Sequence, residues 1–213
     1  MDAGLLPVKR LDRAKARLAA QLGDAARREV AAALLDDALT LCSSVGFLRW
    51  WVVSDDPAVL RRAADRGLDT LRDGGRGLNA ALAAGAVAAA RAGAASVTIV
   101  PADVPLARAD DLADVVDTGA TSDVVVVPAR SGGGTNALHL APPGVMDPEF
   151  GPESLRAHVT RADRLGVRCS VLPSARLGLD VDTIDDVDAL LAHPGAGDTH
   201  AGRVLARLRS PTA

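Results

Sequence analysis

SVTIVPADVP, residues 96–105, contains one of the two clearest strand signals in the chain. Its first half is a continuous apolar run rich in β-branched residues, and DVVVVP at residues 123–128 repeats that pattern. Strands without alternating polar residues are covered on both faces, as the strands of parallel sheets are. Both runs therefore predict buried central strands of an α/β protein.

Outward from these two runs, short apolar segments alternate with helical patterns along the chain. The predicted strands are residues 4–8, 48–54, 96–101, 123–128, 136–140 and 169–173, and the predicted helices are residues 24–43, 57–66, 78–92, 108–118, 152–165 and 183–192. This alternation predicts a three-layer α/β/α, Rossmann-like fold with a mostly parallel mixed sheet. We expect a single domain over residues 1–193, followed by a C-terminal tail, residues 194–213, with at most one weak helix.

Composition narrows the classes of function. A formal net charge of −3 argues against a nucleic-acid partner, because nucleic-acid binding normally requires a basic surface. No segment is typical of a secretory signal or long enough to span a bilayer, so we expect a soluble, cytoplasmic protein without membrane association. Cys42 and Cys169 are predicted to be reduced core residues, although a disulfide is the minor alternative.

The chain contains only two lysines, Lys9 and Lys15, and both lie in the loop after the first predicted strand. Arg10, Arg13 and Arg17 lie in the same loop. The loop lacks the GxxxxGK[ST] pattern of a phosphate loop, so side-chain cations would have to bind phosphates here. The alternative is a solvated basic turn without a ligand.

Three aspartates follow predicted strands and are candidates for a metal site. Asp103 comes directly after the central strand, between two prolines. Asp180 and Asp182 are two residues apart in an extended segment, so their carboxylates project from the same face. Together the three could hold one or two Mg²⁺ ions, which need few protein carboxylates when substrate phosphates also bind. Alternatively, Asp103 is a turn residue and Asp182 caps the helix that begins at Thr183.

Two further segments are candidates for binding anions or a nucleobase. In FGPES, residues 150–154, Gly151 and a proline predict a helix start whose free amides, with Ser154, would bind an anion; Thr135 adds a hydroxyl from a neighbouring loop. The alternative there is an ordinary capped helix. Asn79 either caps its helix or reads a base edge. No pair of histidines has metal-ligand spacing, so we predict structural roles for all four.

Taken in order, PVKRLDRAKARL (7–18), GLNAAL (77–82), VPADVPL (100–106), FGPES (150–154) and LDVDTIDDV (179–187) resemble the 2-phospho-L-lactate guanylyltransferase family. That family includes a phosphoenolpyruvate guanylyltransferase branch and acts in biosynthesis of the deazaflavin coenzyme F420. The resemblance covers about residues 4 to 192. It implies a nucleotidyltransferase fold and the transfer of GMP from GTP to phosphoenolpyruvate or 2-phospho-L-lactate, with Mg²⁺ bound and diphosphate released.

The resemblance also implies a role for each matching residue. Lys9, Lys15 and Arg17 would bind the GTP triphosphate, with Asn79 near guanine. Asp103, Asp180 and Asp182 would bind metal, and Thr135, Gly151 and Ser154 would bind the three-carbon acid. Lys9, Lys15 and Asp103 are the predicted catalytic residues.

The sequence departs from the family pattern at two places. Ala16 replaces the usual threonine, and PAD replaces the usual GD. Two other functions stay open. One is a molybdenum-cofactor or sugar-phosphate nucleotidyltransferase, although its usual GGxSxR loop is absent. The other is a catalytically silent nucleotide-binding regulatory domain. A homodimer is left open as well.

Overall fold

A computed structural model describes residues 1–12 and 14–209. The strands are β1 (Asp2–Pro7), β2 (Leu48–Ser54), β3 (Asp69–Arg72), β4 (Ser96–Ile99), β5 (Val124–Pro128), β6 (Thr135–Leu140) and β7 (Cys169–Val171). The helices are α1 (Ala19–Ser44), α2 (Pro57–Ala64), α3 (Leu78–Arg91), α4 (Ala109–Gly119), α5 (Ser154–Leu165), α6 (Ile184–Ala192) and α7 (His200–Arg209). Two short 3₁₀ turns precede α1 and α7, at Ala16–Leu18 and Ala196–Asp198.

All seven strands form one sheet in the order β3-β2-β1-β4-β6-β5-β7. Only β6 runs against its neighbours, pairing antiparallel with β4 and β5, whereas the other pairs are parallel. The predicted mostly parallel mixed sheet is therefore confirmed. Because β6 is reversed, it begins at the edge where the other strands end, and Thr135 pairs with Pro128 there. We call this side of the sheet the carboxyl edge.

The core lies on both faces of the sheet. One apolar cluster packs α1, α2 and α4 on one face through residues such as Leu39, Val59 and Val115. A second packs α3 and α5 on the opposite face through Leu82 and Ala162. The three-layer α/β/α architecture is therefore confirmed. Among the described residues, no helix is both long and apolar enough to cross a membrane.

The short edge strand β3 is not among the strands predicted from the sequence. Its four residues alternate between half-buried and exposed, and they pair only with β2. A strand this short with two charged residues carries no apolar run, so its extended conformation depends on the neighbouring strand.

The segment after His193 forms the short turn at Ala196–Asp198 and then helix α7. Asp37 of α1 accepts hydrogen bonds from the first two amides of α7, those of His200 and Ala201, at 2.7 and 2.9 Å. Leu205 is buried in a third apolar cluster that α1, α6 and α7 share. Residues 210–213 of the predicted tail lie outside the described residues.

Candidate functional site

The third apolar cluster lies beneath the carboxyl edge and joins the segments that carry the predicted charged residues. Leu18 follows the basic loop, Leu106 follows the loop of Asp103, and Val181 separates the two C-terminal aspartates; all three are buried in this cluster. The Val181 N–H also donates to the Asp103 carbonyl oxygen at 3.0 Å. Since alternate residues of an extended segment face opposite sides, burying Val181 turns its aspartate neighbours away from the cluster.

Lys15 joins two of the predicted metal aspartates. Its Nζ donates to Asp103 Oδ2 and to Asp182 Oδ1, each at 2.7 Å, and only 9% of the Lys15 side chain is exposed. Burial disfavours the charged ammonium, but the two carboxylates outweigh this cost and raise the pKa of Lys15. Lys15 is also the one non-glycine residue with positive φ in the described ranges, at 55°. It is therefore a fixed, paired cation and not a solvated turn residue.

Asp180 lies on the same edge with a different partner. Its Oδ1 accepts a hydrogen bond from Asn136 Nδ2 at 3.0 Å. Burial raises the pKa of the Asp180 carboxyl, and the negative charges of Asp103 and Asp182 raise it further. The structure thus brings the three predicted aspartates into one electrostatic cluster. Asn136 was not among the predicted site residues. The only sequence feature that could have indicated it is its position in the GGGTN segment.

The structure also decides between the two readings of Asp182. Helix α6 is capped by Thr183, whose hydroxyl accepts from the Asp186 N–H, while the Asp186 carboxylate accepts from the Thr183 N–H at 2.9 Å. This reciprocal capping box leaves the Asp182 side chain free of the cap. Asp182 therefore bonds to Lys15 and belongs to the site.

The acidic cluster has the donor chemistry of a divalent-cation site. Carboxylate oxygens are the ligands that hard cations prefer, and two of these carboxylates already converge on one cation, the Lys15 ammonium. Within residues 1–12 and 14–209, however, no three acidic, histidine or cysteine side chains are already arranged around one metal position. A metal bound here would compete with Lys15 for the carboxylates of Asp103 and Asp182.

The remaining cations of the basic loop are more exposed than Lys15. Lys9 is exposed, and Arg17, with 76% of its side chain exposed, lies 4.0 Å from Asp182 Oδ2. Arg10 pairs with Asp12, and Arg13 lies outside the described residues.

A buried arginine of α1, which sequence reasoning missed, supports this loop from below. Arg27 donates to the carbonyl oxygens of Asp12 at 2.9 Å and Ala14 at 2.6 Å, and only 7% of its side chain is exposed. These bonds fix the backbone just before Lys15.

The loop before β6 packs directly on the FGPES turn. A Cβ at Gly133 would lie 2.5 Å from the carbonyl oxygen of Pro152, so only glycine permits this approach. The Leu155 N–H donates to the Gly133 carbonyl at 3.0 Å, and the Ser154 N–H donates to the Gly151 carbonyl at 3.1 Å. The two segments therefore form one continuous surface at the carboxyl edge.

Helix α5 begins at Ser154, two residues later than the proline-based prediction. The reason is local, because the turn from Gly151 closes a hydrogen bond before the helix starts, and two of the first amides bind protein carbonyls. Fewer amides are therefore free than predicted. The Gly151 amide has no acceptor among the described residues, and Ser154 Oγ is buried there without a partner. An unpaired buried hydroxyl costs about 1–3 kcal/mol, which a ligand acceptor would recover.

His158 of α5 links both sides of this surface. Its Nε2 accepts the Glu149 N–H at 2.9 Å, so the neutral ring must carry its proton on Nδ1. Nδ1–H then donates to Thr135 Oγ1 at 3.1 Å. Burial lowers the pKa of His158 to about 4, which keeps the ring neutral at physiological pH. His158 therefore has a structural role: it holds Thr135 and the segment before Gly151 together.

Asn79 does not cap α3, which was one of the two roles predicted for it. The N-cap of α3 is Gly77. The Asn79 amide instead pairs with the backbone of Phe150, with Nδ2 donating to the carbonyl oxygen at 3.1 Å and Oδ1 accepting the N–H at 2.8 Å. A guanine contact through this amide stays a prediction, and it would require these two bonds to break.

Comparisons with known proteins identify the family. Residues 3–211 match the family model described as "Guanylyl transferase CofC like". The chain is 37% identical over 194 residues to a phosphoenolpyruvate guanylyltransferase of Sphaerobacter thermophilus, covering 91% of this chain and 94% of the relative. It is also 37% identical over 207 residues to a 2-phospho-L-lactate guanylyltransferase of Methanothermobacter thermautotrophicus, covering 96% and 90%.

The fold agrees with this match. A Desulfovibrio desulfuricans G20 protein assigned as a nucleotide-diphospho-sugar transferase superposes with a TM-score of 0.83 at 16% identity, covering 97% of this chain and 94% of that one. The fold is thus that of nucleotidyltransferases, as the sequence resemblance implied, and the family model spans both the basic loop and all three aspartates. The chain belongs to the CofC-like guanylyl transferase family.

Proposed function

We propose that this chain transfers GMP from GTP to phosphoenolpyruvate, or to its close analogue 2-phospho-L-lactate, and releases diphosphate. One structural observation supports this proposal in addition to family membership. Asp103, Asp180 and Asp182, from segments far apart in sequence, meet at the carboxyl edge with the ammonium of Lys15 between two of them. A silent binding domain has no need to hold three carboxylates together, because they repel one another.

The three aspartates would hold a divalent cation, which we propose is Mg²⁺. A bound divalent cation supplies positive charge that draws the phosphate groups of both substrates together. Lys15 uses two of its three N–H donors on Asp103 and Asp182, and we propose that it moves from these carboxylates toward the GTP phosphates when a metal neutralises them. It would then bind the GTP phosphates together with Lys9 and Arg17, which are already exposed on the same loop.

The acid substrate would bind where Thr135, Gly151 and Ser154 meet. Two features of this surface favour the binding of an anion. Among the described residues, the Gly151 amide has no acceptor and the buried Ser154 hydroxyl has no hydrogen-bond partner. The Thr135 hydroxyl accepts from His158, which leaves its own proton free to donate. This gives the acid a set of neutral donors beside the metal aspartates.

The reaction would be attack by the phosphate oxygen of the acid on the α-phosphorus of GTP. That oxygen is already ionised near neutral pH, so the protein need not supply a general base. The work of these side chains is to neutralise the repulsion between two anions and to align the attack. The cations and hydrogen-bond donors found among the described residues of the site fit this role.

The two relatives described above are named for different acids and are equally identical to this chain, so identity to these two does not decide between the acids. We propose phosphoenolpyruvate first, on the weaker ground that the composition is typical of high-GC bacteria. The acid substrate can be identified by incubating the protein with GTP, Mg²⁺ and each acid in turn. The diphosphate adduct is then detected by its mass. The larger kcat/KM identifies the substrate.

The same assay separates the alternatives. Parallel reactions with a sugar phosphate or molybdopterin test the related nucleotidyltransferases, and turnover only there would refute the proposal. GTP binding without diphosphate release under any condition would indicate the silent regulatory domain instead. Involvement in coenzyme F420 biosynthesis follows from the proposed product, as the family resemblance implies.

A further inference from the structure

Helix α3 and the segment before Gly151 are joined by an unusual contact. The contact is formed by the Asn79 side chain and both backbone groups of Phe150, as described above, across 71 residues of sequence. A carboxamide bonded to an N–H and a C=O of the same residue imitates one rung of a β-sheet. It fixes the position and the orientation of the peptide at Phe150.

The residues next to this contact hold the same segment. The Glu149 N–H is bound by His158 Nε2, and the Phe150 ring packs on the edge of the His158 ring, with centroids 5.3 Å apart at 76°. Phe150 also contacts the core cluster between the sheet and α3. The backbone at residues 149–150 is therefore held from three sides just before the exposed turn that contains Gly151.

From these contacts we propose that Asn79 is a positioning residue for the acid substrate, and not a reader of the guanine base. It acts by holding the Phe150 backbone so that the Gly151 amide and the Ser154 hydroxyl keep their positions relative to Thr135. This inference rests on the proposed function, which places the acid at those three residues. This positioning role would replace the role near guanine that the family resemblance implies for Asn79.

The proposal gives a distinct kinetic signature. Asn79→Ala removes both bonds to Phe150, so we expect the KM for the acid to rise at least about 5-fold while the KM for GTP changes less than about 2-fold. The preference for GTP over ATP should not change. Asn79→Asp keeps the acceptor for the Phe150 N–H but loses the donor and sets a carboxylate oxygen against the Phe150 carbonyl oxygen, so its acid KM should rise as well.

Hydrogen exchange gives a readout that does not depend on turnover. The Phe150 amide should exchange faster in Asn79→Ala and stay protected in Asn79→Asp, because only the second variant keeps an acceptor. Arg91→Ala, at the exposed C-terminal end of the same helix, is the matched control and should alter neither KM value nor the exchange.

Three outcomes would overturn the positioning role. A raised GTP KM and a lost GTP preference with an unchanged acid KM would show that Asn79 reads the base. Unchanged kinetics in a variant with fast Phe150 exchange would show that the contact is only structural. Unchanged exchange in Asn79→Ala would show that the contact does not hold the segment. Lack of turnover by the unaltered chain with either acid would refute the proposed function instead, so the two failures are distinguishable.

Discussion

Replacing Lys15 with methionine removes the ammonium that joins Asp103 to Asp182 and keeps most of the aliphatic volume. Charge-assisted hydrogen bonds contribute about 1.5–3 kcal/mol each when buried. Here the Asp103 and Asp182 side chains are 27% and 43% exposed, so water recovers much of that energy. We therefore expect the free energy of unfolding without divalent cations to fall by about 2 kcal/mol in total, partly because the carboxylates then repel one another.

For a domain of this size, about 2–4 °C of melting temperature corresponds to 1 kcal/mol, so Tm should fall by about 4–8 °C. Added Mg²⁺ should narrow the gap, because a cation on the carboxylates removes their repulsion. In assays with GTP, kcat/KM should fall at least about 10-fold, which corresponds to about 1.4 kcal/mol of transition-state binding.

Arg17→Met is the matched control for this experiment. It removes one charge from the same loop, but that side chain is 76% exposed and lies 4.0 Å from Asp182. Its effect on the free energy of unfolding should stay below about 0.5 kcal/mol. An unchanged Tm in Lys15→Met without metal would refute the ion pairs, and unchanged GTP kinetics would refute the phosphate-binding role.

Three further predictions follow from the site. Asp103→Asn should lower turnover at least roughly 100-fold while the protein stays folded, since one metal ligand is lost; a variant that melts early yet turns over normally in its folded fraction would contradict this. Gly133→Ala should cost about 1–3 kcal/mol of stability and raise the acid KM, because its Cβ would lie 2.5 Å from the Pro152 carbonyl oxygen. Gly144→Ala, whose Cβ meets nothing within 4 Å, is its control, and equal effects of the two would refute the packing argument. Burial lowers the pKa of His158 to about 4, so the unfolded chain binds the extra proton first as pH falls below 6.5. His158 should therefore contribute about 2 kcal/mol of stability at pH 7.5 that is lost at pH 5, so the fall in the free energy of unfolding between these pH values, measured in urea, should be about 2 kcal/mol smaller in His158→Gln; the same pH dependence in both proteins would contradict this.

The sequence predicts the fold well because its central strands are covered on both faces. The runs at residues 96–101 and 123–128 correspond to β4 and β5, and the loop after β4 delivers Asp103 to the carboxyl edge as expected. The edge strand β3 contains no continuous apolar run, and no local feature of the sequence indicates that β6 runs antiparallel to its neighbours. Both depend on neighbouring strands, which are far away along the chain.

The site could be predicted in its residue types but not in its pairings. The charges of Lys15 and the aspartates are visible in the sequence, whereas their bonds join residues 88 and 167 positions apart. Asn79 illustrates the same limit, because a carboxamide at a helix start is typical of a cap or a polar ligand contact. Its pairing with Phe150 arises only when α3 and the turn before α5 meet over the sheet.

A crystal structure with Mn²⁺ and GTP, with the metal located by its anomalous signal, would show directly whether the three aspartates bind the metal. We expect a peak bound by Asp103, Asp180 and Asp182, with the Lys15 ammonium moved from the carboxylates to a phosphate of the nucleotide. A metal bound elsewhere, or Lys15 still joining Asp103 to Asp182 in the presence of both ligands, would contradict this expectation.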